Sequence, residues 1–231
     1  MPLSPVMNLP AAFFPLWVQW STLLAALGVL GWAASRIKWR ALDHVALNAW
    51  LGACVLTMAM WMMKGGFKPG LWFHLSGAAI LTLMMGHWLA LLALAIVLAG
   101  VTAYGLGDWM SLGLNFWLMA VLPVTLVSVV LRLTQRLLPP NLFIYVFVCA
   151  FLAGGASLFA TGLGGIVALG LAEAYPWEEL MTEALPFYFL LSWSEAFTTG
   201  LIMAILIVYR PRWVATFDDS RYLDDNSDPG A

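Results

Sequence analysis

Residues 72–88, WFHLSGAAILTLMMGHW, decide how the chain folds. They lie in an apolar run from residue 71 to residue 105, which is longer than the roughly 20 residues that one helix needs to cross a bilayer. The run therefore has to fold back on itself, and Gly86-His87 is the best position for the reversal. This pattern predicts a short helix over residues 71–85, with the imidazole of His74 buried near its start.

The composition places the whole chain in a membrane. Of its 231 residues, 63% are hydrophobic and 10% are charged, against about 25% charged residues in soluble domains. The apolar runs are continuous rather than alternating, which excludes a transmembrane β-barrel. Lipid offers no hydrogen-bond partner to the backbone, so each span has to be a helix. The net charge of −2 excludes nucleic acid as an expected partner.

We therefore predict an all-α integral membrane protein with seven transmembrane helices. The spans are expected at residues 13–34, 45–63, 71–85, 88–104, 112–131, 142–172 and 186–209. Residues 1–212 form the membrane domain in this prediction, and residues 213–231 form a polar tail. The glycine-rich segment 142–172 is long for one helix, and whether it is one bent helix stays open.

The positions of Lys and Arg predict the orientation of the spans. Seven basic residues follow the first, fifth and seventh spans, whereas Lys64 and Lys68 lie at the opposite end of the helices. The seven are Arg36, Lys38, Arg40, Arg132, Arg136, Arg210 and Arg212. Positive charge accumulates on the cytoplasmic side, which predicts a cytoplasmic C-terminus and an N-terminus outside. The expected location is the cytoplasmic (inner) membrane of a bacterium.

Few polar residues fall within the spans, so each of them is informative. An ionisable residue at membrane depth indicates a functional site, which makes His74 the first candidate. The alternative for His74 is a neutral imidazole near the membrane surface that bonds a carbonyl. Asn115 is expected to join two helices by hydrogen bonds. Glu195 is expected to act as a structural clamp, with Thr198 and Thr199 on the same face of its helix.

Sequence motifs give no support for an enzyme. The chain has no H-E-x-x-H, no G-x-S-x-G, no phosphate-binding loop and no dinucleotide-binding glycine motif. We expect no catalysis and no organic cofactor, and any energy for transport has to come from a gradient or a partner. Methionines at 58, 60, 62, 63, 84 and 85 suit a path for monovalent copper, but the spacing 58-60-62 leaves one helix face and favours a core role.

Several stretches resemble the CbiM/NikM-type permeases, the cobalt and nickel substrate-binding subunits of energy-coupling-factor (ECF) transporters. The similar stretches are FHLSG at 73–77, LMMGHWLA at 83–90, GDW at 107–109, LGLN at 112–115 with Met119, Pro123, and EAFTTG at 195–200. That family also has seven spans with the N-terminus outside. The resemblance implies uptake of a divalent cobalt or nickel ion together with a membrane coupling subunit and ABC ATPases.

The resemblance also implies a metal site. In the family the metal is held by an N-terminal Met-His-Ile-Pro and by the histidine that His74 matches. Here the matching start is Met7-Asn8-Leu9-Pro10, so Asn8 stands where the second histidine is expected. The candidate ligands are therefore His74, Asn8 and Met7, with Asn115, Glu195, Thr198 and His87 as supporting polar positions.

Two further points follow from the comparison with that family. His87 replaces the proline of the usual G-P-W turn, and it lies at the opposite end of the short helix from His74. One ion is therefore not expected to bind both imidazoles.

The alternative function is a non-transporting membrane protein that uses the same fold to assist metal handling, including copper, or the assembly of a metalloenzyme.

Overall fold

The computed structural model describes residues 9–63, 65–218 and 222. Within these residues, six helices are long and apolar enough to cross a bilayer. They are α1 (Leu16–Arg36), α2 (His44–Met62), α4 (His87–Leu106), α5 (Trp109–Leu137), α6 (Leu142–Leu171) and α7 (Trp177–Tyr209). A short helix, α3 (Ala78–Met85), precedes α4. The chain is therefore a multi-pass membrane protein built from helices.

Two short strands lie between α2 and α3. Strand β1 (Gly65–Lys68) pairs antiparallel with β2 (Leu71–Phe73), and Gly65 lies opposite Phe73. Pro69-Gly70 makes the turn, with Gly70 at φ +80°. This hairpin leads into an extended segment, residues 74–77, before α3 begins.

The prediction of one helix over residues 71–85 is wrong for its first half. The helix begins only at Ala78, because Gly77 has a left-handed backbone (φ +66°) and the N–H groups of Ser76 and Gly77 bond a side chain instead of a helix carbonyl. The reversal at Gly86 is confirmed. Gly86 has φ +80° and joins the end of α3 directly to the start of α4.

Three of the other helix starts follow ordinary capping chemistry. The side chains of Asp43, Asp108 and Asn141 accept backbone N–H groups at the starts of α2, α5 and α6. The glycine-rich segment forms one continuous helix, α6, which contains a wide turn at Tyr145–Leu152. Its glycines allow close contact with α7, since Gly162 lies directly against the ring of Tyr188.

Long-range contacts define the two ends of the helix bundle. At the end that we call the N-terminal side, Gly70 packs on Leu9 and Pro10, and the Ala11 N–H donates to Asp108. At the other end, the C-terminal side, Trp32 of α1 contacts Trp88 of α4, with the rings 4.8 Å apart.

The chain after α7 folds back onto the C-terminal side of the bundle. Within the predicted polar tail, Val214, Phe217 and Tyr222 are buried, and both of the aromatic rings contact Tyr145 of α6. The stretch that contains these three residues is rich in charged and polar residues, so its composition does not predict that they are buried.

Candidate metal-binding site

A buried carboxylate holds the extended segment 74–77 in place. The two oxygens of Glu195, Oε2 and Oε1, accept the N–H groups of Ser76 and Gly77, each at 2.9 Å. Glu195 is only 1% exposed, so water does not compete for these bonds. From α2, the indole N–H of Trp61 donates to the Ser76 carbonyl at 2.9 Å. Glu195 of α7 and Trp61 of α2 thus supply the backbone partners that a helix would otherwise provide.

His74 lies in this held segment and is half-buried. Its ring packs against Trp61 at a centroid distance of 4.9 Å, and Nδ1 lies 2.9 Å from the Leu75 carbonyl oxygen. Because a carbonyl only accepts, Nδ1 carries the proton in this contact and the lone pair of the neutral ring is on Nε2. Metal-binding histidines commonly have this arrangement, in which one nitrogen donates to a carbonyl and the other is the ligand.

Among the described residues, Asn115 of α5 does not bond a second membrane helix, as the sequence predicted, but draws the N-terminal segment into the bundle. Its Oδ1 accepts the Leu9 N–H at 3.0 Å, and its Nδ2 donates to the Leu9 carbonyl at 3.1 Å. The same Nδ2 contacts Ser111 one turn earlier. These two bonds satisfy the N–H and the carbonyl of Leu9, as a neighbouring β-strand would. It fixes the backbone at the residue that directly follows Asn8, while Asn8 and Met7 themselves lie outside the described residues.

Gln19 supports the same segment and was missed by the sequence reasoning. Its Nε2 donates to the carbonyls of Ala11 and Phe14 at 2.9 and 2.7 Å, and the side chain is buried. The available signal was an amide in the first turns of an otherwise apolar helix, where few polar residues occur.

The two held segments meet at a small cavity of about 60 Å³. It is lined by Leu9, His74, Ser76 and Asn115, together with Met119 and other residues. This volume is enough for an ion with bound water, because one water needs roughly 10–15 Å³. No group of three or more His, Cys, Asp or Glu side chains that could hold a metal occurs in the described part of the chain. A metal here would need backbone or amide ligands besides His74.

The remaining predicted positions do not join this cavity. His87 lies at the C-terminal side, where Nδ1 is 2.9 Å from the Ser128 hydroxyl and the ring contacts Trp88. Thr198 is partly buried. The structure describes both Thr198 and Glu195, and no hydrogen bond joins their side chains. Thr199 is completely buried, and its hydroxyl has no hydrogen-bond partner within the described residues.

A scan against protein-family models matches residues 8–213 to CbiM, described as the cobalt uptake substrate-specific transmembrane region. The chain belongs to this family. The CbiM match begins at Asn8, one residue before the segment that Asn115 holds, and it spans all seven helices.

Solved structures share the fold of this CbiM-family chain. A crystal structure of a truncated transition metal transporter superimposes with a TM-score of 0.77 at 20% identity, covering 88% of this chain and 99% of that chain. A second crystal structure, of a transition metal transporter, gives a TM-score of 0.76 at 21% identity, covering 87% of this chain and 92% of that one. A search of curated proteins found no match.

Family membership sets the general role of the protein. It is a membrane component of a metal uptake system and not an enzyme, as the sequence predicted. Its substrate is a transition-metal ion, and a transporter component of this kind works with partner subunits. This assignment favours uptake over the non-transporting alternative.

Proposed function

We propose that this chain is the substrate-binding membrane subunit of an ECF-type transporter for a divalent cobalt or nickel ion. His74 Nε2 is one ligand, and backbone and side-chain atoms of Met7 and Asn8 supply the others. The observation that carries this proposal is the pairing of Asn115 with Leu9, which holds the chain next to Asn8 at the cavity that His74 lines.

The chemistry of these atoms suits a borderline divalent ion. Imidazole nitrogens and backbone amide nitrogens that have lost their proton are ligands for Ni(II) and Co(II), whereas carboxylates and carbonyls alone favour Mg²⁺ or Ca²⁺. Asn8 offers a weaker donor than the imidazole that the family resemblance places there. Glu195 adds a negative charge one peptide group away from the cavity, and this charge favours a cation inside a low-dielectric bundle.

Seven crossings, with the C-terminal side in the cytoplasm, are part of the proposal. An N-terminus outside and a C-terminus in the cytoplasm require an odd number of crossings, so the six long helices need one more. Residues 71–85 supply it as a largely extended stretch of seven residues, which ends at the left-handed Gly77, followed by α3. At about 3.3 Å per extended residue and 1.5 Å per helical residue, this stretch covers roughly 35 Å, more than the ~30 Å core of a bilayer. Gly70, directly before this stretch, contacts Leu9 on the N-terminal side, and Leu83 near its end bonds Thr216 on the C-terminal side. The seven basic residues named above flank the cytoplasmic ends of the spans in this arrangement.

The proposed partners are a membrane coupling subunit and ABC ATPases. Helix α1 offers a surface for such a subunit, because a Cβ atom added at Gly28 or Gly31 would meet no other atom within 4 Å. Small residues on an open helix face let a second helix approach closely. We expect the bacterial inner membrane as the location.

Metal affinity of the purified protein tests the proposed site. We expect His74→Ala to abolish binding of Ni(II) and Co(II), and Asn8→His to strengthen Ni(II) binding by restoring a second imidazole. His87→Ala is the matched control, since it removes an imidazole from the opposite end of α3. Equal affinities in the wild type, His74→Ala and Asn8→His would refute the site.

A further inference from the structure

The segment after α7 makes contacts that neither the composition nor the family match anticipates. Residues 214–218 and 222 lie beyond the matched range 8–213. Nevertheless Val214 is only 2% exposed, and Phe217 stacks on Tyr222 with ring centroids 4.9 Å apart. The segment therefore occupies a defined position on the C-terminal side of the bundle.

This segment bonds the C-terminal end of α3. The Ala215 N–H donates to the Met84 carbonyl at 2.8 Å, and the Thr216 hydroxyl donates to the Leu83 carbonyl at 2.7 Å. The Thr216 hydroxyl also lies 2.6 Å from the hydroxyl of Tyr145. The last carbonyls of a helix have no partner within that helix. Ala215 and Thr216 supply these partners from a distant part of the chain.

The other end of α3 leads directly to the candidate metal site. Only eight residues separate Gly77, held by Glu195, from the reversal at Gly86. A helix of two turns is effectively rigid, so a shift of its C-terminal end moves its N-terminal end as well. Glu195 therefore holds the His74 segment at the start of α3, and Thr216 holds the end of α3.

We propose that residues 214–217 form a latch: they hold the C-terminal end of α3 and thereby position the His74 segment, which precedes the N-terminal end of the same helix. The role of the latch in transport depends on the function proposed above: its release loosens the site when the ion leaves toward the C-terminal side. The bonds of the latch come from a segment outside the six long helices, so it can detach without unfolding a span. Thr216 is a positioning residue in this scheme and touches no substrate.

Hydrogen exchange of the metal-free protein tests the latch. We expect Thr216→Val to accelerate exchange of the amides at 74–77 by roughly five-fold, the effect of losing the one side-chain hydrogen bond from Thr216 to α3, at the Leu83 carbonyl. Thr216→Ser keeps the hydroxyl and should exchange like the wild type. Thr182→Val is the matched control, because among the described residues the Thr182 hydroxyl bonds only the Glu178 carbonyl of its own helix, on the other side of the bundle. A chain shortened after Trp213 should show the largest increase.

The two native cysteines report whether the latch has detached. Cys149 is buried in the cluster that contains Val214 and Phe217, whereas Cys54 is buried in a different cluster. Alkylation of Cys149 by N-ethylmaleimide should accelerate in Thr216→Val, while that of Cys54 should stay unchanged.

Unchanged exchange at 74–77 in the shortened chain would overturn the latch. If that chain does not fold, equal exchange in Thr216→Val and Thr216→Ser would overturn it instead. Faster alkylation of Cys149 without faster exchange would also overturn it, because the segment would then be only a cover. Since exchange is measured without metal, a wild type that binds no metal would refute the proposed transport function and leave the latch standing.

Discussion

Replacement of Glu195 is the most informative perturbation of this structure. Its carboxylate is the acceptor for two buried backbone N–H groups, and the structure describes no cation beside it. Glu195→Ala removes both bonds and leaves Ser76 and Gly77 with unsatisfied donors. A hydrogen bond to a charged group contributes about 1.5–3 kcal/mol, so the free energy of unfolding should fall by about 3–6 kcal/mol.

Glu195→Gln separates the effect of charge from that of shape. The amide oxygen still accepts one N–H, but the amide nitrogen meets the second N–H donor to donor. We expect a loss of about 2–3 kcal/mol, intermediate between wild type and Glu195→Ala. Because the replaced group supports the segment that bears the proposed ligand His74, metal affinity should also fall by about 10–100-fold, as for other groups that orient metal ligands.

Unfolding in mixed micelles and metal titration of the folded protein measure the two quantities. Glu178→Gln is the control, because it removes the same charge from an exposed side chain of the same helix. A loss below about 1 kcal/mol for Glu195→Ala would refute the reasoning, since two buried donors cannot lose their acceptor at so small a cost. If the free energy of unfolding fell by the expected amount but metal affinity stayed unchanged, Glu195 would serve the fold alone.

Three further predictions concern the segments around the site. Asn115→Ala should destabilise the protein by about 2 kcal/mol, and protease cleavage before residue 14 should become faster, because two bonds to the N-terminal backbone are lost. Gly113→Ala should cost about 3 kcal/mol in thermal unfolding, since a Cβ there would overlap the backbone of α1, whereas Gly165→Ala meets open space and should be neutral. Bonds to two glutamates raise the pKa of Lys68 above its usual 10.5. Its contribution to stability is therefore complete below pH 10.5 and is lost as the pH rises through the raised pKa, so Lys68→Gln should lower Tm slightly and equally from pH 6 to pH 9.

Hydropathy was sufficient to predict most of the helices. Each of the six long helices overlaps a predicted span, and the reversal at Gly86 follows from the length of the apolar run and from one glycine. These features depend on local composition and on the thickness of a bilayer, which a sequence records directly.

Residues 71–77 could not be predicted in the same way. Most of their side chains are apolar and suit a helix, but residues 71–73 pair with strand β1 instead. The N–H groups of Ser76 and Gly77 bond Glu195, which is 119 residues away from Ser76. The packing of Phe217 could not be predicted for the same reason, because its ring contacts Tyr145 of a distant helix. A polar residue within a span indicates that such a contact exists but does not identify its partner.

The site lies where two irregular segments meet, and this explains why its supporting residues are polar. Non-helical backbone at membrane depth has to find its hydrogen-bond partners within the protein. Asn115 and Gln19 supply them to residues 9–14, and Glu195 and Trp61 supply them to residues 74–77. These four side chains belong to α5, α1, α7 and α2, so each segment is held by two helices. A movement of these helices relative to one another would change the distance between His74 and the N-terminal segment. The partner subunits proposed above could act on the proposed metal site in this way.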